Sequence, residues 1–237
     1  SGSYNLGLSV RCLSDETFNT TILVPDNFAT IQEAIDYSID GDTILVSAGT
    51  YYENINFNGK NIALIGEDRE TTIIDGGQNG TVVKIESVES GLLDEFTVRN
   101  GYSDIGAGIF IYDGNLNMNS LIIESNFSTN MGAGIFIENS YSVIDNVIIK
   151  DNNQHSSQGL RVGGGAMIRA SSVTLSYVDI LNNSAYHQGG GLYVDNFSNI
   201  VINNSNIKNN STTESEGAGI SFYGNVNATL NNSLVVN

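Results

Sequence analysis

The hexapeptide GAGIFI occurs at Gly106–Ile111 and again at Gly132–Ile137, and three related hexapeptides follow it. These read GGGAMI (Gly163–Ile168), GGGLYV (Gly189–Val194) and GAGISF (Gly217–Phe222). The last glycines of the five turns lie at positions 108, 134, 165, 191 and 219, so the steps are 26, 31, 26 and 28 residues. A repeat of this length is typical of a solenoid, in which each repeat forms one coil and contacts only its neighbours.

The apolar residues of each repeat alternate, as they do in β-strands with one buried face. After the five glycine turns the predicted inward pairs are Ile109/Ile111, Ile135/Ile137, Ala166/Ile168, Leu192/Val194 and Ile220/Phe222. Two more apolar sets follow in each repeat, and no segment between them has the length of a crossover helix. The pattern therefore predicts three strands per coil and three parallel sheets around one core.

An asparagine closes each repeat, three residues after an inward aliphatic residue. These asparagines are Asn126, Asn152, Asn183 and Asn210. Asparagine tolerates the left-handed backbone of a tight turn, and stacked asparagines can hydrogen-bond to one another. We therefore predict a turn at each asparagine and a ladder of their side chains along the solenoid.

The segment before the repeats has the pattern of a cap. Thr30 and Glu33 form a T-x-x-E capping box, and apolar residues on one face predict a helix over 31–39 that covers the first coil. Residues 1–22 match neither cap nor repeat and are predicted to be a linker or the end of a preceding domain. Residues 23–237 are assigned to the solenoid. Its last residues, Ser233–Asn237, lack a polar cap, which predicts a longer natural protein and an open coil available for end-to-end stacking.

The sequence TIQEAIDYSIDGDTILVSAGTYYENINFNGKNIALIGE, followed by TTIIDG, resembles the N-terminal cap and first coils of the pectin-lyase-like superfamily. The GAGI and GGGL turns with their asparagine stops resemble the glycine-rich repeats of polymorphic outer-membrane proteins and autotransporter-like adhesins. The resemblance covers residues 22–237 and implies an all-β, right-handed single-stranded parallel β-helix. It also implies a bacterial protein that is secreted or displayed on the cell surface.

Composition limits the partners. The net charge of −17 argues against nucleic acid, which requires a basic surface. It also disfavours polyanionic glycans unless a cation bridges them. No cofactor is expected, although calcium is possible as such a bridging cation. The single cysteine, Cys12, excludes an internal disulfide framework, and no apolar run has the length of a membrane span.

Alternation also predicts two outward columns on the strands after the glycine turns. The first column is Phe110, Phe136, Met167, Tyr193 and Ser221; the second is Tyr112, Glu138, Arg169, Asp195 and Tyr223. Aromatic rings stack on sugar faces, so the predicted glycan-binding residues are Phe110, Tyr112, Phe136, Tyr193 and Tyr223. The alternative is that these residues stack only to stabilise the sheet.

The candidates for catalysis are charged residues on the second column and on neighbouring loops. Glu138 and Asp195 have the spacing of an inverting acid–base pair, although Arg169 between them would keep both ionised. His155 and Arg161 lie in the only long insertion, and His187 lies in the equivalent loop of the next coil. The alternative is that these loops are simply polar. No metal site is predicted.

Three hypotheses of function follow. The first is a non-catalytic adhesive or stalk module that binds a polysaccharide or a cell-surface glycan. The second is a polysaccharide-degrading lyase or hydrolase, and the third is a structural spacer. The chain has no tryptophan and none of the signatures of pectate lyases, pectin methylesterases or polygalacturonases. This favours the first hypothesis.

Overall fold

The computed structural model describes residues 20–156, 159–215 and 217–236, which form a solenoid of stacked coils. The strands of successive coils pair in parallel and in register, as between Ile109–Tyr112 and Ile135–Glu138. The prediction of a parallel β-helix is confirmed. The predicted boundary after residue 22 falls inside the first strand, Thr21–Val24, which already pairs with the second coil. Cys12 lies outside the described residues.

Four sheets run along the solenoid: the three that were predicted and a fourth, short sheet that was not. The glycine sheet, named for the turns before its strands, comprises Ile55–Asn56, Val83–Glu86, Ile109–Tyr112, Ile135–Glu138, Ala166–Arg169, Leu192–Asp195 and Ile220–Tyr223. The long sheet comprises Thr21–Val24, Thr43–Val46, Ala63–Gly66, Gly91–Asp94, Leu116–Asn119, Tyr141–Asp145, Ser172–Ser176, Asn199–Asn203 and Asn227–Asn231. The asparagine sheet, which precedes the asparagine stops, comprises Gly49–Tyr51, Thr72–Asp75, Thr97–Arg99, Ile122–Glu124, Ile148–Lys150, Asp179–Leu181, Asn206–Lys208 and Leu234–Val236. The short sheet comprises Tyr102–Ile105, Phe127–Met131, Asn153–Gln154, Ser184–Ala185 and Ser211–Thr212.

A helix at Ile31–Tyr37 covers the first coil. It begins as predicted, because the Thr30 hydroxyl accepts a hydrogen bond from the Glu33 backbone N–H at 3.2 Å. The Glu53 carboxylate accepts two more, from the first two helical N–H groups, each at 2.9 Å. The helix buries Ile31 and packs on the end of the core, but it ends two residues earlier than predicted.

The asparagine ladder, Asn126, Asn152, Asn183 and Asn210, is buried and hydrogen-bonded from coil to coil. The Asn152 amide donates to the Asn183 Oδ1 at 3.0 Å and to the Ile123 carbonyl at 2.9 Å. Its own Oδ1 accepts from the backbone N–H of Asn126 at 3.1 Å and from the Asn126 amide at 3.0 Å. The predicted ladder is therefore confirmed, and every amide in its middle has four partners.

The left-handed turn was predicted at the ladder asparagines themselves. In the structure it occurs one residue before each of them. Positive φ angles are found at Ser125 (56°), Asp151 (55°), Asn182 (55°) and Asn209 (57°). The preceding residue makes the turn, so that the asparagine side chain can point into the solenoid and reach the next coil. The prediction located the right corner of the coil but assigned the backbone strain to the wrong residue.

In four of the five turns the last glycine packs directly against the ladder. A Cβ atom on Gly134 would lie 2.9 Å from the Asn152 Nδ2 and still closer to the Gly165 carbonyl oxygen. The same close approach recurs at Gly108, Gly165 and Gly191. The repeated glycine is therefore required by the space that the ladder occupies.

Replacing Asn152 with alanine is expected to lower the free energy of unfolding by about 2–4 kcal/mol, because the amides and carbonyl it serves remain buried without partners. Urea denaturation followed by circular dichroism measures the change. Asn153→Ala is the matched control, since this neighbouring asparagine is exposed. A loss no larger than that of the control would show that the ladder contributes little.

Gly134→Ala is expected to destabilise the solenoid by about 1–3 kcal/mol, because the added methyl group forces two coils apart. Gly49→Ala serves as the control, since its Cβ would meet only the ring of Tyr51 at 3.5 Å. Thermal melting of both variants compares them directly. Equal melting temperatures would contradict the steric requirement at the ladder.

Candidate functional site

The first outward column has the predicted register, but most of it is buried. Phe110, Phe136, Met167 and Tyr193 align coil by coil, and the Phe110 and Phe136 rings stack at 5.4 Å. Only 2% of Phe136 and 5% of Tyr193 is exposed, while Phe110 is half-buried. The prediction that Phe136 and Tyr193 are available for sugar stacking is wrong for this structure.

A second hydrophobic cluster covers this column. Met131 and Val162 pack on Phe136, Met167 and Tyr193, outside the main core. Met131 is the last residue of a short-sheet strand and Val162 directly precedes a glycine turn, so this part of each coil covers the outer face of the glycine sheet. The signal in the sequence is the apolar residue directly before three of the glycine turns: Ile105, Met131 and Val162.

The second outward column contains a largely buried ion pair. The Arg169 Nε lies 3.1 Å from the Asp195 Oδ1, and the Arg169 Nη2 lies 3.0 Å from the Asp195 Oδ2. Only 5% of the Asp195 side chain and 20% of the Arg169 side chain is exposed. The hydrogen bonds that Arg169 donates to Asp195 raise the pKa of the guanidinium above its ordinary value. The structure therefore uses Asp195 to hold Arg169.

This ion pair argues against an acid–base pair of Glu138 and Asp195. Arg169 lies between the two carboxylates in the ladder register, as predicted. Burial, followed by the negative charge of Asp195, raises the pKa of the adjacent Tyr193 phenol, so this tyrosine stays neutral.

Tyr112 and Tyr223, which were predicted to bind a glycan, lie at the two ends of the second outward column and are exposed.

The loop candidates meet at a tyrosine that was not predicted. The Arg161 guanidinium carbon lies 4.7 Å from the centre of the Tyr186 ring, and the His155 ring contacts Tyr186 edge-on at 5.4 Å. His187 joins them through its backbone, because its N–H donates to the Arg161 carbonyl at 3.0 Å. The prediction that these loops lie together is supported, whereas Arg169 is bound to Asp195 instead.

Glu214, from the following coil, completes this loop cluster. The Tyr186 hydroxyl donates to the Glu214 Oε1 at 2.6 Å, and the Arg161 Nη1 lies 3.8 Å from the Glu214 Oε2. The hydrogen bond to Glu214 raises the pKa of Tyr186, so the phenol remains a proton donor. Tyr186 and Glu214 are 28 residues apart, one coil, but their loops carry no repeated motif that marks them in the sequence.

Two negative findings concern the described residues only. No group of three or more histidine, cysteine, aspartate or glutamate side chains is arranged there to hold a metal ion. No helix in the same part of the chain has the length and apolar character required to cross a bilayer.

Asp195→Ala is expected to cost about 2–4 kcal/mol of unfolding free energy, because Arg169 loses its buried partner. Glu86→Ala is the matched control on the same outward column. It breaks the Lys84–Glu86 pair, whose side chains are each 42% exposed, and should cost less than about 1 kcal/mol. Chemical denaturation of both variants measures the two losses of unfolding free energy. Equal losses would show that burial does not make the Arg169–Asp195 pair more stabilising than the Lys84–Glu86 pair.

The chain was compared with curated proteins and with solved structures. No curated protein matches the sequence. Among solved structures, a pectin methylesterase from carrot is 14% identical over 94% of this chain and 84% of its own, with a TM-score of 0.46. A pectin methylesterase from Aspergillus niger is 13% identical over 94% and 86% of the two chains, with a TM-score of 0.47. A third, in complex with a hexasaccharide, is 11% identical over 90% and 93%, with a TM-score of 0.48.

These likenesses are too distant to indicate an activity. The family model described as "Right handed beta helix region" matches residues 83–237, which is more than half of the chain. On this match, and on the coils described above, the chain belongs to the right-handed β-helix family.

Proposed function

We propose that this chain is a non-catalytic binding module that holds an extended polysaccharide along its solenoid, in a secreted or surface-displayed protein. The observation that carries the proposal is the one-to-one register of the outward side chains. Equivalent residues of five coils, from Tyr112 to Tyr223, form one straight column. With about 4.8 Å between neighbouring strands, such a column spans about 19 Å and suits a ligand that repeats along its length.

The charged groups support binding rather than catalysis. A general acid or base must exchange a proton with its substrate, so it needs both access and a suitable pKa. Asp195 is buried against Arg169, and the Tyr186 hydroxyl donates a hydrogen bond to Glu214. Each of these candidate groups already has an internal partner.

A second candidate function is degradation of a polysaccharide at the loop cluster. The convergence of His155, Arg161, Tyr186 and Glu214 from neighbouring loops favours it. In that case the half-exposed Glu214 carboxylate and the Tyr186 phenol are the groups that would meet the substrate.

One experiment separates the two functions. The purified protein is incubated with neutral and acidic polysaccharides, with and without calcium, and both retention on the polysaccharide and release of new chain ends are measured. We expect retention of the protein by at least one polysaccharide, no new chain ends and no requirement for calcium.

Tyr186→Phe is the diagnostic variant, because it keeps the ring that packs under Arg161 and removes only the hydroxyl that binds Glu214. Release of chain ends that disappears in this variant would refute the non-catalytic proposal and locate an active site at the loop cluster. If no polysaccharide retains the protein and none is cleaved, the remaining hypothesis is that the protein is a structural spacer.

A further inference from the structure

A groove runs along the corner where the glycine sheet turns into the long sheet. Two depressions of about 330 and 290 Å³ lie at this corner, and a third of about 350 Å³ lies beside them on the outer face of the long sheet. Tyr141 borders all three depressions, and we call the surface that they share the corner groove. It extends from the coil that contains Ser87 to the coil that contains Asn199.

Two aromatic side chains stand exposed in the corner groove. Tyr141 is 70% exposed and Phe197 is 75% exposed. Tyr141 pairs with Ser172 of the next coil, which pairs with Asn199 of the coil after it, and Phe197 is two residues before Asn199. The two rings are therefore separated by two coils, about 10 Å along the solenoid.

Nothing in the packing of the solenoid requires the ring of Phe197. It follows Asn196 in a turn that has one residue more than the turn of the preceding coil, between Arg169 and Ser172. Both Asn196 and Phe197 have positive φ angles, 51° and 59°. A bulky residue in this conformation is strained, and exposure to water adds no compensating burial. An exposed ring held at such a cost indicates a role at the surface.

The remaining polar side chains around the two rings are mostly amides and hydroxyls, whereas the part of the groove on the long sheet is lined mainly by valines, Val143, Val173 and Val201. Asn139, Ser172 and Asn199 line the same depression as the two rings. Among the described residues that line the groove there is no lysine or arginine, and its acids, Glu89 and Asp113, lie together at one end. The net charge of the chain, −17, opposes the approach of a polyanion.

The backbone at the corner groove is not available to a peptide. The strands Tyr141–Asp145 and Ser172–Ser176 pair with a neighbour on both sides, so they cannot accept an added strand. A ligand of this groove must therefore be recognised by flat rings and by neutral donors and acceptors. Sugar rings with free hydroxyl groups offer both.

We propose that the corner groove binds a neutral polysaccharide chain that lies parallel to the solenoid axis, with its sugar rings stacked on Tyr141 and Phe197. This inference rests on the proposed binding function and adds its site and its ligand class. The amides of Asn139 and Asn199 and the Ser172 hydroxyl hydrogen-bond the sugar hydroxyls between the two rings. Binding depends little on salt, because no ion pair forms.

The test is affinity electrophoresis in native gels that contain galactomannan, xyloglucan or dextran as neutral probes and polygalacturonate as the acidic probe. Tyr141→Ser introduces the residue found at the same position of the next coil, and Phe197→Asn introduces a residue that tolerates a positive φ. Tyr52→Ser is the matched control, since Tyr52 is 76% exposed and lies outside the groove. Thermal melting checks that all variants fold.

We expect at least one neutral probe to retard the wild-type protein and the Tyr52→Ser control equally. Each groove substitution should weaken binding by about tenfold, and the double variant should migrate as if no polysaccharide were present. Retardation by neutral probes that survives the double substitution would overturn the site. Retardation by polygalacturonate alone would overturn the ligand class. Both results would leave the proposed function intact, whereas no retardation by any probe would count against both proposals.

Discussion

The contact between the asparagine ladder and the glycine column fixes how each coil lies on the next. Each ladder amide in the middle of the solenoid has hydrogen-bond partners on both neighbouring coils, as Asn152 shows. The glycine packed against it leaves no room for a side chain. A coil that slipped by one residue would bury unpaired amides and push a Cβ atom into the ladder, so one register is strongly preferred.

That register converts a repeated sequence into surfaces with a defined chemistry. Backbone groups in the middle of the sheets are paired within the solenoid, so the turns and loops can vary without disturbing the core. The 31-residue step contains the insertion that carries His155 and Arg161, and the turn at Phe197 is one residue longer than the turn of the preceding coil. Both variations occur at corners, where the ladder is not interrupted. The candidate sites are found at these departures from the repeat.

Much of this fold could be predicted, because alternation and period report directly on burial. The start of the helix at Thr30 and the outward columns follow from local patterns. Alternation determines which way a side chain points, but it does not show what covers it. Phe136 points outward and is buried, because the segment around Met131 folds over it. The meeting of Tyr186 with Glu214 depends on the paths of two loops, which no periodicity describes.

The distribution of charged and neutral groups separates stability from binding on this surface. Asp195 is held by Arg169, and Glu214 is held by Tyr186, so the ionisable groups mainly connect one coil to the next. The Tyr141 and Phe197 rings, by contrast, are exposed at a corner. An exposed ring loses little by contact with water and gains by stacking on a flat ligand. A solenoid built in this way can change its ligand by replacing corner residues while its coil-to-coil contacts stay the same.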